Sequence, residues 1–122
     1  MRFLMMHRLD ERAPEAWNPS PEFMEKMGAF IQDAAAKGYL ITAEGVHPSE
    51  KGALVRKSRG ARVKVTDGPF AEAKEVIGGF ALINAKDLAD AKAFAASYAE
   101  LFDEVEVEVR QVVEFDDLPA PA

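Results

Sequence analysis

The chain of 122 residues contains no cysteine. That excludes disulfides, thiolate nucleophiles and thiolate metal ligands, and it suits a reducing cytoplasm. Histidine is almost as scarce: His7 and His47 are the only two, and no His-x-x-x-His or similar spacing joins them, so no metal site is expected. Basic charge is in deficit as well, with 15 Lys and Arg against 21 Asp and Glu and a net charge of -6. Such a balance argues against nucleic acid or an anionic membrane as the main partner. Long apolar runs are missing too. The opening Arg2-Phe3-Leu4-Met5-Met6 is too short, and too soon followed by charge, for a membrane span or a signal peptide. Neither a phosphate-binding glycine loop nor a covalent-cofactor lysine can be found, so no cofactor is expected.

What is present is ample apolar material, 48% of residues, beside 30% charged residues. This predicts one soluble cytoplasmic domain over residues 1–115, followed by a flexible, proline-bearing tail over 116–122. Residues 2–7 read as a buried strand closed by His7, and 8–19 as a charged loop in which Trp17 covers the core edge or lines a pocket mouth. Ser20-Pro21-Glu22 starts a helix that runs to about Lys37, with Phe23, Met27, Phe30, Ile31 and Ala34 on one stripe. A second strand spans Tyr39 to Val46. A hairpin follows, with arms 53–57 and 61–66 around Ser58-Arg59-Gly60.

After the hairpin comes Asp67-Gly68-Pro69-Phe70, where a side-chain acceptor, a residue tolerant of positive φ and a ring of fixed φ enforce a turn. Another interior strand covers 79–83, and Asn84 with Asp87 resembles a capping box. The second helix then reaches about Leu101 with Leu88, Ala91, Ala95, Tyr98 and Phe102 inward. A final strand over 104–115 alternates valine with charge until Val112-Val113, where a bulge or a covered edge is expected. Two βαβ units joined through an inserted hairpin predict an α+β ferredoxin-like sandwich, an antiparallel sheet with two helices on one face. The other face is left bare, so a homodimer is the physical expectation.

The segment from Val65 to Phe80, with Asp67-Gly68-Pro69-Phe70, Ala71-Glu72-Ala73-Lys74-Glu75 and Gly78-Gly79-Phe80, resembles the DGPF-type branch of the YCII-related proteins. Glu44-Gly45 upstream and Val107-Glu108-Val109-Arg110 downstream extend the likeness over almost the whole chain. The resemblance implies a dimeric α+β barrel of two ferredoxin-like protomers. It also implies two kinds of role: an enzymatic one suspected for the wider family, and a regulatory one linked to sigma factors of the extracytoplasmic-function kind. In the wider family a histidine in the first helix pairs with a later aspartate. Residues 21–37 contain no histidine, so that pair is not carried over.

Asp67 is the leading candidate residue, as a general base or an anchor for a polar ligand, against the plainer reading of an Asx-type turn residue. Glu44 and Glu72 would join it in an acidic cluster if their loops converge, or else are solvated surface glutamates. His7 and His47 would each bring an imidazole, and Phe70 an apolar rim. Together these describe a small-molecule site, binding or catalytic, in the cleft between sheet and helices. The competing reading is an interaction or regulatory module without catalysis. Lys51, Arg56, Lys57, Arg59, Arg62 and Lys64 crowd the hairpin with no acid among them. They form an anion contact, an aggregation-resistant edge, or a match for acids such as Glu104, Glu106 and Glu108 on a partner subunit. No aromatics interleave them, so a stacking surface for bases is absent.

Overall fold

The computed structural model describes residues 1–14 and 16–120. Its elements are β1 (Arg2–Leu9), α1 (Pro21–Ala36), β2 (Leu40–Gly45), β3 (Ala53–Arg56), β4 (Lys64–Asp67), β5 (Val76–Asn84), α2 (Leu88–Ala99) and β6 (Glu106–Gln111). Four strands form one sheet in the order β2-β5-β1-β6, every neighbouring pair antiparallel. With both helices on one face, this is the ferredoxin-like α+β arrangement that the element order predicts. β3 and β4 stand apart as a two-stranded hairpin.

Local sequence explains the helix ends. Ser20 caps α1, its Oγ accepting the Phe23 N–H at 3.1 Å, and proline sits in the first turn. Gly38 leaves the helix at φ 82°, a conformation costly for any residue with a Cβ. The cap expected at Asn84 lies instead at Asp87, whose carboxylate accepts the Asp90 N–H at 2.8 Å. Asn84 is unavailable because it is still in the ladder of β5, opposite Arg2, with its N–H on the Tyr39 carbonyl.

Alternation along the strands divides the sheet. Phe3 faces Ile83 and Met5 faces Ala81, and these meet Ala91 and Ala95 of α2 in the core. Phe3 and Ile83 are fully buried, each worth about 1.5–3 kcal/mol of transfer free energy. Alanines on α2 let it lie close to the strands. The helices meet through aromatics, with Phe30 of α1 centred 5.2 Å from Phe94 and 5.8 Å from Tyr98. On the open face Leu4 pairs with Leu82 and Met6 with Phe80.

Several boundaries differ from the sequence reading. β1 does not end at His7 but continues to Leu9 through a register shift between His7 and Arg8. Phe80, in the strand 79–83 expected to be interior, lies opposite Met6 and Glu44 and is exposed. Leu88 is exposed as well, because the helix only begins there. The hairpin ladder is shorter than expected. Lys57 Nζ and the Ala61 N–H satisfy loop carbonyls across residues 57–63, which widens the turn. β6 stops at Gln111. The chain then passes through Glu114, whose carboxylate takes both Nε and Nη2 of Arg2, into a 3-10 turn at Phe115–Asp117. Of the tail expected over 116–122, residues 121–122 lie outside the described residues. Among the described residues no helix is long and apolar enough to cross a membrane.

Candidate functional site

Between α1 and the sheet lies a cavity of about 330 Å³. Its wall on the helix side is Met24, Met27 and Phe30, and its floor on the sheet side is Met5, Ala43 and Ala81. Phe94 and Tyr98 close it from α2. The space exists because the α1 stripe holds flexible methionines over a floor with two alanines, so the side chains that meet here do not fill the gap. A void of this size with so few polar atoms falls at the lower end of ligand-binding cavities, about 300–1,000 Å³.

His7 reaches this cavity from β1. Its Nδ1 lies 2.8 Å from the Tyr98 hydroxyl, and its ring packs on Phe102 with centroids 5.5 Å apart. Gly78 and Gly79 of β5 make room for it. A Cβ on Gly78 would stand 2.7 Å from His7 Nε2, and one on Gly79 would stand 2.7 Å from His7 Cε1. The Gly-Gly pair thus has a spatial purpose, since only a strand without side chains at these two positions admits the imidazole.

Burial holds the His7 pKa below its ordinary value, and burial pushes the Tyr98 hydroxyl up to about 12. Both groups are therefore neutral at pH 7. No carboxylate contributes to the histidine's shift, so its partner is a phenol, unlike the acid-histidine pair of a general-base site. When the Tyr98 hydroxyl donates to Nδ1, Nε2 carries the proton and is a donor. In the other tautomer Nε2 accepts. Either way one neutral hydrogen-bonding atom remains beyond the pair.

The Asp67-Gly68-Pro69-Phe70 turn is built around a different residue, Ser49. Ser49 is buried, its N–H and Oγ both donate to the Glu11 carboxylate, and its Oγ accepts the Phe70 N–H at 2.8 Å. A Cβ on Gly68 would fall 1.6 Å from the Ser49 carbonyl oxygen. Gly68 is thus needed for close approach; positive φ, the property expected of it, occurs among the described residues only at Gly38 and Gly60. The Gly68–Pro69 peptide is cis.

Of the six residues singled out in the sequence, the structure brings His7 and Glu44 to the cavity, Glu44 at its border beside Gly45. Asp67, Phe70, Glu72 and His47 are not among its lining residues. Asp67 ends β4 opposite Ala53 and is exposed, and its carboxylate accepts no hydrogen bond from the described residues. Phe70 is half-buried beside Gly52, while Glu72 and His47 face solvent. Among the described residues no group of three or more His, Asp or Glu side chains is placed to hold a metal. Trp17 is half-buried with its Nε1–H unpartnered among the described residues, and it is not part of the cavity wall.

Sequence reasoning placed Tyr98 on the inward stripe of α2 but did not pair it with His7. The available signal was a tyrosine on that stripe, whose buried hydroxyl needs a partner. Glu11 and Ser49 gave no local signal, for their contacts span 38 and 21 residues.

A family model described as "YCII-related domain" matches residues 1–116. An uncharacterised protein of Rhizobium meliloti (strain 1021) is 34% identical over 88 residues, covering 70% of this chain and 70% of that protein.

Proposed function

Since the chain belongs to the YCII-related family, we propose that it is a small-molecule-binding protein, of the DGPF-type branch, which holds a neutral, largely apolar ligand between α1 and the sheet. The observation that carries this reading is the uncharged His7–Tyr98 pair at an otherwise apolar cavity. Aromatic rings and methionines supply adaptable, non-directional contact, and His7 Nε2 supplies one directional contact. An anionic ligand would lose its hydration here without gaining a counter-ion, and the one carboxylate at hand, Glu44, lies only at the cavity border. The preferred ligand class is a one- or two-ring aromatic bearing a single hydroxyl, carbonyl or ring nitrogen. The protein works as a homodimer, since the open face carries Leu4, Met6, Phe80 and Leu82 and, among the described residues, the core with α2 lies on the other face. The absence of cysteine suits a cytoplasmic setting.

Titration with 2-naphthol, followed by its fluorescence, tests the reading. Saturable binding at one site per chain is expected. Ala43→Leu, which fills the floor of the cavity, removes binding while leaving the urea midpoint unchanged or raised. His7→Phe weakens binding by about five- to tenfold, the worth of one hydrogen bond. Binding that survives Ala43→Leu at full strength places the ligand elsewhere and defeats the proposal.

A further inference from the structure

Residues 51–64, which run from Lys51 just before the β3–β4 hairpin to Lys64 at the start of β4, carry six of the chain's 15 basic residues and no acid, which leaves nine against 21 acids in the rest of the molecule. None of these six forms an ion pair among the described residues. The ladder register sorts the ribbon into two faces. Val55 pairs with Val65 on one, and Arg56 pairs with Lys64 on the other. Both faces are open, with Val55 at 66% and Val65 at 61% exposure. A two-stranded ribbon open on both sides is marginal on its own. Its base, however, is fixed: the Gly68 N–H bonds the Gly52 carbonyl and the Phe70 N–H bonds Ser49. The hairpin is therefore a held arm whose apolar and basic faces lack partners among the described residues.

The acids that would match it lie at the opposite edge of the sheet. Glu100, Asp103, Glu104 and Glu106 run from the end of α2 into β6, all exposed and none in an ion pair among the described residues. Glu108, one residue of the expected acidic row, is instead engaged by Arg8 at 2.7 Å and by Arg110. Topology brings arm and acids together across a dimer. β2, which leads into the hairpin, and β6 are the two edges of the sheet. When two open faces stack about a two-fold axis parallel to the strands, β2 of one chain lies over β6 of the other.

We propose that the β3–β4 hairpin is a dimer clasp, its basic face seated on the acidic 100–106 segment and β6 edge of a second copy of this chain. The proposal rests on the homodimer reading above and is independent of the cavity ligand. Because the contact is isologous, each dimer contains it twice, and charge matching governs both specificity and salt dependence.

Sedimentation of charge-reversed variants tests it. One variant carries Arg56→Glu, Arg59→Glu and Lys64→Glu; the other carries Glu104→Lys and Glu106→Lys. Each alone places like charges in both clasps, and a rise of about 100-fold or more in the dimer dissociation constant at low salt is expected. Mixed in equal amounts, the two variants form a heterodimer in which both clasps are again of opposite sign, and dimer strength returns to within about tenfold of wild type. Recovery on mixing also shows that both variants are folded. Wild type that remains monomeric at micromolar concentration overturns the homodimer and the clasp together. A wild-type dimer whose strength neither variant changes overturns the clasp alone, as does dissociation that mixing does not repair. Wild-type protein that binds duplex DNA at physiological salt through these basic residues, with dimerisation unaffected, likewise overturns it in favour of an anion-binding arm.

Discussion

Gly68→Ala is the substitution for which the structure predicts the largest effect from the smallest chemical change. The added methyl carbon would lie 1.6 Å from the Ser49 carbonyl oxygen and 2.5 Å from its carbonyl carbon. Both atoms are backbone, so no side-chain rotation relieves the overlap. The turn must withdraw from Ser49 by more than an ångström. Two hydrogen bonds then fail: the Phe70 N–H to Ser49 Oγ at 2.8 Å and the Gly68 N–H to the Gly52 carbonyl at 2.9 Å. At about 1 kcal/mol each, with a further contribution from imperfect repacking around half-buried Phe70, the loss is about 2–4 kcal/mol. Urea denaturation reads this as a lowered midpoint with an unchanged slope. Gly52→Ala is the matched control. Its Cβ meets the same carbonyl at 3.5 Å, ordinary contact, in extended backbone, and a change within about 0.5 kcal/mol is expected. Equal, small effects of the two substitutions would refute the close approach of the turn to Ser49.

Moving the α2 cap to Asp87 predicts that Asp87→Ala costs about 1 kcal/mol in urea denaturation and that Asn84→Ala costs less than half as much. Stability should also depend on pH through His7. Its folded pKa is depressed by burial, so the unfolded chain binds more protons. The contribution is complete above the unfolded value of about 6.5 and is lost as pH falls below it, with a slope well under the limiting ~1.4 kcal/mol per unit because the ring is only partly shielded. Midpoints measured from pH 7.5 to 5.0 should fall in wild type and stay flatter in His7→Gln. Tyr98→Phe leaves His7 Nδ1 without its partner and should cost about 1–3 kcal/mol. If it costs nothing, the His7–Tyr98 contact contributes nothing to stability.

The elements and their order along the chain were legible because periodicity is a local property. Alternation at Val105, Val107 and Val109, and the stripe from Phe23 to Ala34, each report one face of one element. Errors fell where a residue's role is set by a distant neighbour. Asn84 looked like a cap until the ladder with Arg2 claimed it. Asp67 stood out because it begins a conspicuous turn, yet the turn is held by Ser49, a residue with no periodic or motif signal. The pairing of His7 with Tyr98 crosses 91 positions and depends on two glycines whose purpose appears only when β5 lies against β1. Cavities are the least legible feature of all, since a void is written as the absence of volume on three separate elements.

If His7 presents one neutral hydrogen-bonding atom to a ligand held in the cavity, the ring ¹⁵N spectrum of His7 at pH 7, recorded free and saturated with 2-naphthol, reads it out. A neutral imidazole is expected, in which the Nε2 resonance moves on binding while Nδ1, occupied by Tyr98, stays within a small fraction of that change. A charged imidazolium in the free protein, or a bound state in which neither nitrogen responds, would contradict it.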